Sequence, residues 1–141
     1  MNGYYSSGGL PETATDKINE LNRLGATFKL FEFTPSGDWV IVYGSKSSAW
    51  WVGIPTGAED VIQNLYDHNQ KLDYISFTAE GGWAIIYGGG GYESEKIPEA
   101  ALAELKRLNT AGEAIRQIIF TPTNGWIILY GANGYSSSDN P

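Results

Sequence analysis

Apolar residues recur at a helical spacing in three stretches of the chain. In the first stretch, Ala14, Ile18 and Leu21 stand at i, i+4 and i+7, the spacing of one face of an amphipathic helix. A proline precedes each stretch, where the first turn of a helix tolerates it. A glycine or asparagine follows each stretch and can end a helix in the left-handed conformation. The pattern predicts three helices, with the prolines Pro11, Pro55 and Pro98, the further stripes Ala58, Ile62, Leu65 and Ala101, Leu105, Leu108, and the stops Gly25, Asn69 and Gly112.

A strand pattern follows each predicted helix. The pair Phe31 and Phe33 alternates with polar residues, and its counterparts are Ile75 with Phe77 and Ile118 with Phe120. After a turn rich in Gly, Pro or Asn, the runs 39–43, 83–87 and 126–130 are apolar or aromatic throughout. Such a run is typical of a strand that is covered on both faces. Gly-rich turns come next, and then Trp50, Tyr92 and Tyr135 mark the place for a short third strand.

The three patterns are copies of one unit. Trp39, Trp83 and Trp126 lie 44 and 43 residues apart, and gap-free blocks span 10–44, 54–88 and 97–131. The one-residue difference falls in the linkers 45–53 and 89–96, as expected for surface loops. Because one unit cannot cover its own apolar faces, such repeats normally stack. We therefore predict an α+β fold: a single domain, 1–141, of three tandem αββ(β) repeats of 43–44 residues in a pseudo-symmetric ring or ring segment.

The two ends of the chain resemble linker segments of the repeat. Asn2-Gly3-Tyr4 is similar to Asn133-Gly134-Tyr135, and Pro141 lies 43 residues after Pro98. Residues 132–141 thus match the start of a fourth repeat. This pattern favours a chain that is a piece or a copy of a larger cyclic array. Since residues 2–10 and 132–140 match the same slot, we expect the tail of one chain to lie on the head of another. A C2 homodimer that completes a six-repeat ring is the favoured state. The alternative is a monomer whose tail pairs edge-on with its own head.

Charge and composition exclude several classes of function. The 141 residues include 16 acidic and 9 basic ones, for a net charge of −7, which argues against nucleic-acid partners. No apolar run reaches the length of a membrane span, so no membrane partner is expected. With no cysteine, disulfide scaffolds, thiolate metal sites and thiol nucleophiles are excluded.

The residues that could carry chemistry have simpler structural interpretations. His68, the only histidine, stands at a predicted helix C-terminus, where an imidazole meets the negative end of the helix dipole. The helical carboxylates cluster mostly early in the helices, where they complement the dipole; they are Glu12, Asp16, Glu59, Asp60, Glu99 and Glu104. The run Gly88–Gly91 lacks the Lys-Ser/Thr of a phosphate-binding loop. We expect no enzyme, no cofactor and no metal site.

Aromatic residues are the one feature that points to binding as well as to packing. Trp39, Trp83 and Trp126 recur with Tyr43, Tyr87 and Tyr130 on one strand face, and burial in the core is the first interpretation. A sugar-stacking platform repeated once per unit is the alternative. Aromatic residues beside the flexible linkers are better candidates for contact with a ligand or with another chain; they are Tyr4, Tyr5, Trp50, Trp51, Tyr92 and Tyr135.

The phrase Phe-Thr-Pro-x-x-Gly-Trp-x-Ile-Leu-Tyr-Gly-x-Asn-Gly-Tyr, found at 120–135, resembles tandem repeats in uncharacterised, often extracellular, bacterial proteins. The second block departs from it, with Ala79 in place of the turn proline. The resemblance implies a repeat module and no catalytic residues. Engineered ring-like repeat proteins use the same logic, but these blocks differ at most positions, which favours a natural fragment or a lightly modified natural template.

Two functions from different classes follow. The first is a non-enzymatic scaffold that assembles with itself, and the second is a lectin-like module that binds a glycan through the linker aromatics.

Overall fold

The computed structural model describes residues 9–138, which form three similar units of one helix and three antiparallel strands. This confirms the predicted α+β class and the tandem repeat. The short third strand that the linker aromatics predict is present in every unit. The first unit consists of α1 (Glu12–Arg23), β1 (Phe28–Phe33), β2 (Trp39–Tyr43) and β3 (Ser48–Val52). The second consists of α2 (Thr56–Asp67), β4 (Leu72–Phe77), β5 (Trp83–Tyr87) and β6 (Gly91–Glu95), and the third of α3 (Glu99–Thr110), β7 (Ile115–Phe120), β8 (Trp126–Tyr130) and β9 (Gly134–Ser137).

The helices begin and end as the sequence predicts. Each proline is the residue directly before the first helical one, so its missing N–H removes no helical hydrogen bond. Gly25, Asn69 and Gly112 all adopt positive φ. In the first unit the Ala26 N–H donates to the Leu21 carbonyl at 3.0 Å and the Gly25 N–H donates to the Asn22 carbonyl at 3.1 Å, and the other units repeat both bonds. This is the Schellman closure, which satisfies the last carbonyls of a helix.

Each unit folds its strands into a separate sheet with the middle strand in the centre, in the order β1-β2-β3, β4-β5-β6 and β7-β8-β9. The one-residue difference between the repeats lies in the last hairpin turn, which spans 44–47 in the first unit but 88–90 and 131–133 in the others. The structural equivalents are therefore Ala49, Tyr92 and Tyr135, which pair with Val42, Ile86 and Leu129. The grouping of Trp50 with Tyr92 and Tyr135 is wrong by one residue, because the longer turn displaces the third strand of the first unit.

The core forms because α2 and α3 each lie between their own sheet and the preceding one, whereas α1 packs on the first sheet alone among the described residues. On β2, Trp39 and Ile41 pack with α1, whereas Val40 and Val42 join the cluster that contains α2 and the second sheet. Strand β5 repeats this division, so both middle strands are covered on both faces, as their uniformly apolar sequence predicts. The tryptophans Trp39, Trp83 and Trp126 occupy equivalent buried sites.

The third sheet is covered on one face only. Trp126 and Ile128 pack with α3, but Ile127 and Leu129 on the opposite face of β8 are partly exposed. The uniformly apolar sequence of this strand predicts two covered faces, and the structure differs because no unit follows it within residues 9–138. None of the helices in this part of the chain is long and apolar enough to span a bilayer.

Candidate functional site

A cleft of about 420 Å³ lies where the first unit meets the second, between the β2–β3 hairpin and helix α2. Its volume falls within the range of small-molecule pockets, roughly 300–1,000 Å³. Residues of the hairpin form one side and residues of α2 form the other. The lining residues are Tyr43, Ser47, Ser48, Ala49, Trp50, Trp51, Ile62, Gln63 and Tyr66.

The cleft exists because the first unit carries a small residue where the others carry tyrosine. Ala49 and Val42 are paired on the face of the first sheet that packs against α2. At the next interface the equivalent residue, Tyr92, packs against the core beside α3. Replacing a phenol ring by a methyl group at this position leaves the space between hairpin and helix open.

The longer 44–47 turn of the first unit contributes Ser47 to the lining of the cleft. Ser47 is buried and adopts a left-handed backbone with φ of 55°. Its hydroxyl accepts hydrogen bonds from the Leu72 backbone N–H at 3.1 Å and from Lys29 Nζ at 3.2 Å. The pKa of Lys29 is lowered, first because burial disfavours the charged form and then because Lys71 lies nearby. Ser47 thus joins the first unit to the start of β4.

Two tryptophans of β3 are held by charged side chains of the helices on either side. The Trp51 indole N–H donates to Glu59 Oε2 on α2 at 2.9 Å, which fixes the ring at the cleft. On the opposite face, Lys17 Nζ of α1 lies 3.8 Å from the centroid of a Trp50 ring, a cation–π contact. None of the residues that line the cleft carries a formal charge, so the cleft suits a neutral, ring-containing molecule.

The six linker aromatics predicted to contact a ligand or another chain do not share one surface. Trp50 and Trp51 line the cleft, Tyr92 packs at the interface between the second and third units, and Tyr135 is 59% exposed on the third sheet. Tyr4 and Tyr5 lie outside the described residues. Sequence reasoning missed Ala49 and the cleft residues of α2, Gln63 and Tyr66. A one-residue gap in the 44–47 turn would have aligned Ala49 with Tyr92 and Tyr135 and so revealed the small residue.

The residues considered for catalysis lie in ordinary structural positions. His68 is exposed at the end of α2, with Nδ1 2.8 Å from the Asn64 carbonyl oxygen. Glu104 accepts two hydrogen bonds from Arg107, at 2.7 and 2.6 Å, and another from Ser136. The Arg107 bonds are the main reason why the pKa of Glu104 lies below its usual value. Among residues 9–138, no three His, Asp or Glu side chains are grouped as metal ligands.

No protein-family model, curated protein or solved structure matches the chain.

Proposed function

We propose that the chain is a non-enzymatic repeat scaffold that associates with itself end to end, with the last unit of one copy packed on the first unit of another. The observation that carries the proposal is that both ends of the stack expose the positions that are buried at its internal interfaces. Large exposed apolar patches on a protein mark interaction surfaces.

The tail face, formed by Ile119, Ile127, Leu129 and Tyr135, lies on the side of the third sheet that points away from α3. In the second unit the positions of Ile127 and Leu129 are taken by Ala84 and Ile86, which are fully buried against the third unit. The tail face keeps apolar side chains there, although Tyr135 is 59% exposed and Ile119 is 39% exposed. Its residue types are those of an internal interface, and no unit follows it within residues 9–138.

The head face, formed by Phe31 and Phe33, lies on the side of β1 that carries α1. Their counterparts in the second unit, Ile75 and Phe77, are buried, and β1 lies close to β4 there. In the first unit no sheet lies in front of these positions among the described residues, and each phenylalanine is 37% exposed. A tail face placed on the head face would cover both in the way that the internal interfaces do.

This contact joins two different surfaces, so its repetition gives either a closed ring or an open filament. A two-chain ring of six units is the smallest closed state that joins separate chains and is the one we propose, with C2 symmetry. It leaves neither face exposed to solvent.

Light scattering on the full chain tests the proposal. We expect a mass about twice the 15.4 kDa of one chain, and a shift toward one chain for the tail variant Leu129→Lys. Leu24→Lys is the matched control: the same substitution at a residue 75% exposed at the end of α1, outside both faces. A wild-type mass of one chain across micromolar concentrations would overturn the proposal.

Mixing two variants tests the direction of the contact. Phe33→Lys blocks the head face, and Leu129→Lys blocks the tail face, so each variant alone should remain a single chain. Together they retain one intact head and one intact tail, and we expect two-chain species only in the mixture. Two-chain species in either variant alone would show that the association uses another surface.

Carbohydrate binding stays the alternative prediction. Its main support is Trp50, which is 46% exposed. A glycan array with the wild-type chain and Trp50→Ala tests it, and glycan binding that is lost in the variant would favour the lectin-like function.

A further inference from the structure

We propose that the cleft between the first and second units binds a small neutral molecule that carries a phenolic ring. The ring would take the place that Tyr92 occupies at the next interface. This site is independent of self-association, because the cleft lies inside one chain and away from both end faces.

A comparison of the two internal interfaces indicates which kind of ligand fits the cleft. Tyr92 and Ala49 have the same strand register, opposite Ile86 and Val42 on the faces that pack toward the following helix. Where the tyrosine is present its ring packs among residues of the core. Where alanine replaces it, the 420 Å³ cleft is found instead. The open space therefore corresponds to a position that the fold fills with a phenol ring.

The lining of the cleft matches such a ring on its apolar and polar sides. Ala49 and Ile62 supply apolar surface, and Trp51 and Tyr66 supply aromatic faces. Tyr66 and Trp51 are replaced by Asn109 and Ser94 at the next interface, so the aromatic lining is a property of the open interface alone. Aromatic pairs gain about 0.5–1.5 kcal/mol beyond the burial of their area.

Neutral polar groups complete the site. Ser48 on the hairpin and Gln63 on α2 both line the cleft. The Gln63 Nε2 donates to Asp67 Oδ1 at 3.1 Å, so its Oε1 can accept a hydrogen bond from a phenolic hydroxyl. The hydrogen bond from Trp51 to Glu59 fixes the indole before any ligand arrives. Preorganisation of this kind lowers the entropic cost of binding.

Ligand-observed NMR with 4-methylphenol, together with the shift of the Trp51 indole N–H signal, tests the proposal. For a ligand of this size we expect a Kd of about 1 mM and one site per chain. Ala49→Tyr fills the cleft as Tyr92 does and should weaken binding at least tenfold. Ala111→Tyr, the same substitution at an exposed position after α3, should leave Kd within twofold of the wild type.

A second variant keeps the test decisive if Ala49→Tyr folds poorly. Tyr66 is 43% exposed, so Tyr66→Ala should leave the thermal midpoint nearly unchanged while it raises Kd severalfold. No saturable binding of 4-methylphenol to the folded wild type would overturn the proposal. Equal Kd values for the wild type and a folded Ala49→Tyr would do so as well. Binding of glucose or N-acetylglucosamine at the Trp51 signal, without binding of the phenol, would replace the proposed ligand class by a sugar.

Discussion

Glu32 should make the stability of the interface between the first two units depend on pH. It stands on β1, and the hydroxyl of Tyr74 on β4 donates a hydrogen bond to its carboxylate across the interface. Burial raises the pKa of Glu32 from 4.5 to about 7, and the Tyr74 bond offsets part of this rise because it stabilises the charged form. Burial and the nearby carboxylate also raise the pKa of Tyr74, so the phenol stays protonated throughout the range in which Glu32 titrates.

Proton linkage gives the direction in which the free energy of unfolding changes with pH. In the unfolded chain the carboxyl loses its proton near pH 4.5, whereas the folded chain holds that proton up to about pH 7. The free energy of unfolding is therefore greatest below pH 4.5, falls as the pH rises toward 7, and is constant above. The two pKa values correspond to about 3 kcal/mol for full burial, and solvent screening of a half-buried side chain reduces the expected loss to about 1–2 kcal/mol.

Urea unfolding at half-unit steps from pH 4.5 to 8.5 measures this loss. Glu32→Gln keeps the shape and removes the charge, so the difference between the wild type and the variant should fall by about 1–2 kcal/mol across this range and then level off. Tyr74→Phe should steepen the wild-type loss, because it removes the hydrogen bond to the charged form. The exposed Glu93→Gln serves as the control for a change in net charge. Parallel pH profiles for the wild type and Glu32→Gln would refute the reasoning.

Three further predictions concern the helices. Leu65→Ala removes a buried side chain from the core between the first two units and should lower the free energy of unfolding by about 2–5 kcal/mol; an unchanged urea midpoint would show that this face of α2 is not core. Gly25→Ala places a side chain at a φ of 79° and should lower the free energy of unfolding by about 1–2 kcal/mol in the same assay. Asn69→Gly, which puts glycine at the equivalent left-handed position, should not lower it. Equal effects of the two substitutions would contradict the requirement for a left-handed conformation. His68→Ala should leave the thermal midpoint within about one degree, because the equivalent positions hold Leu24 and Ala111; a large fall would reveal an unrecognised role for the imidazole.

The elements of each unit are predictable because their signals are local. The stripe Ala58, Ile62 and Leu65 and the following Asn69 lie within one helix and its end, so spacing and backbone preference are enough to place α2. The uniformly apolar run of β5 likewise places that strand from its own residues, although the equally apolar β8, with one face partly exposed, shows that coverage of both faces depends on a following unit. Neither signal needs knowledge of which units are neighbours.

The cleft was not predictable because it depends on a register that a gap-free comparison does not give. The blocks that define the repeat end at the first residue of the last hairpin turn, and the extra residue of the first unit lies within that turn, 44–47. A shift of one residue moves a strand side chain to the opposite face of its sheet. Trp50 therefore lies on the α1 side and Trp51 on the α2 side. The residue that leaves the cleft open is Ala49, and an alanine does not by itself suggest a binding site in a sequence.

Self-association creates a new interface between two chains, and the equivalence of Tyr135 and Tyr92 predicts whether that interface contains a phenol site. A tail face brings Tyr135 to the junction at the register position that Tyr92 holds inside the chain. The junction between copies would then resemble the filled interface between the second and third units, and the open interface would remain the one between the first and second. An assembled ring should accordingly bind one phenolic ligand per chain, the same number as a single chain. A ligand number that changes with the state of association would mean that the junction itself forms a site, and would contradict the equivalence of Tyr135 and Tyr92 on which both proposals draw.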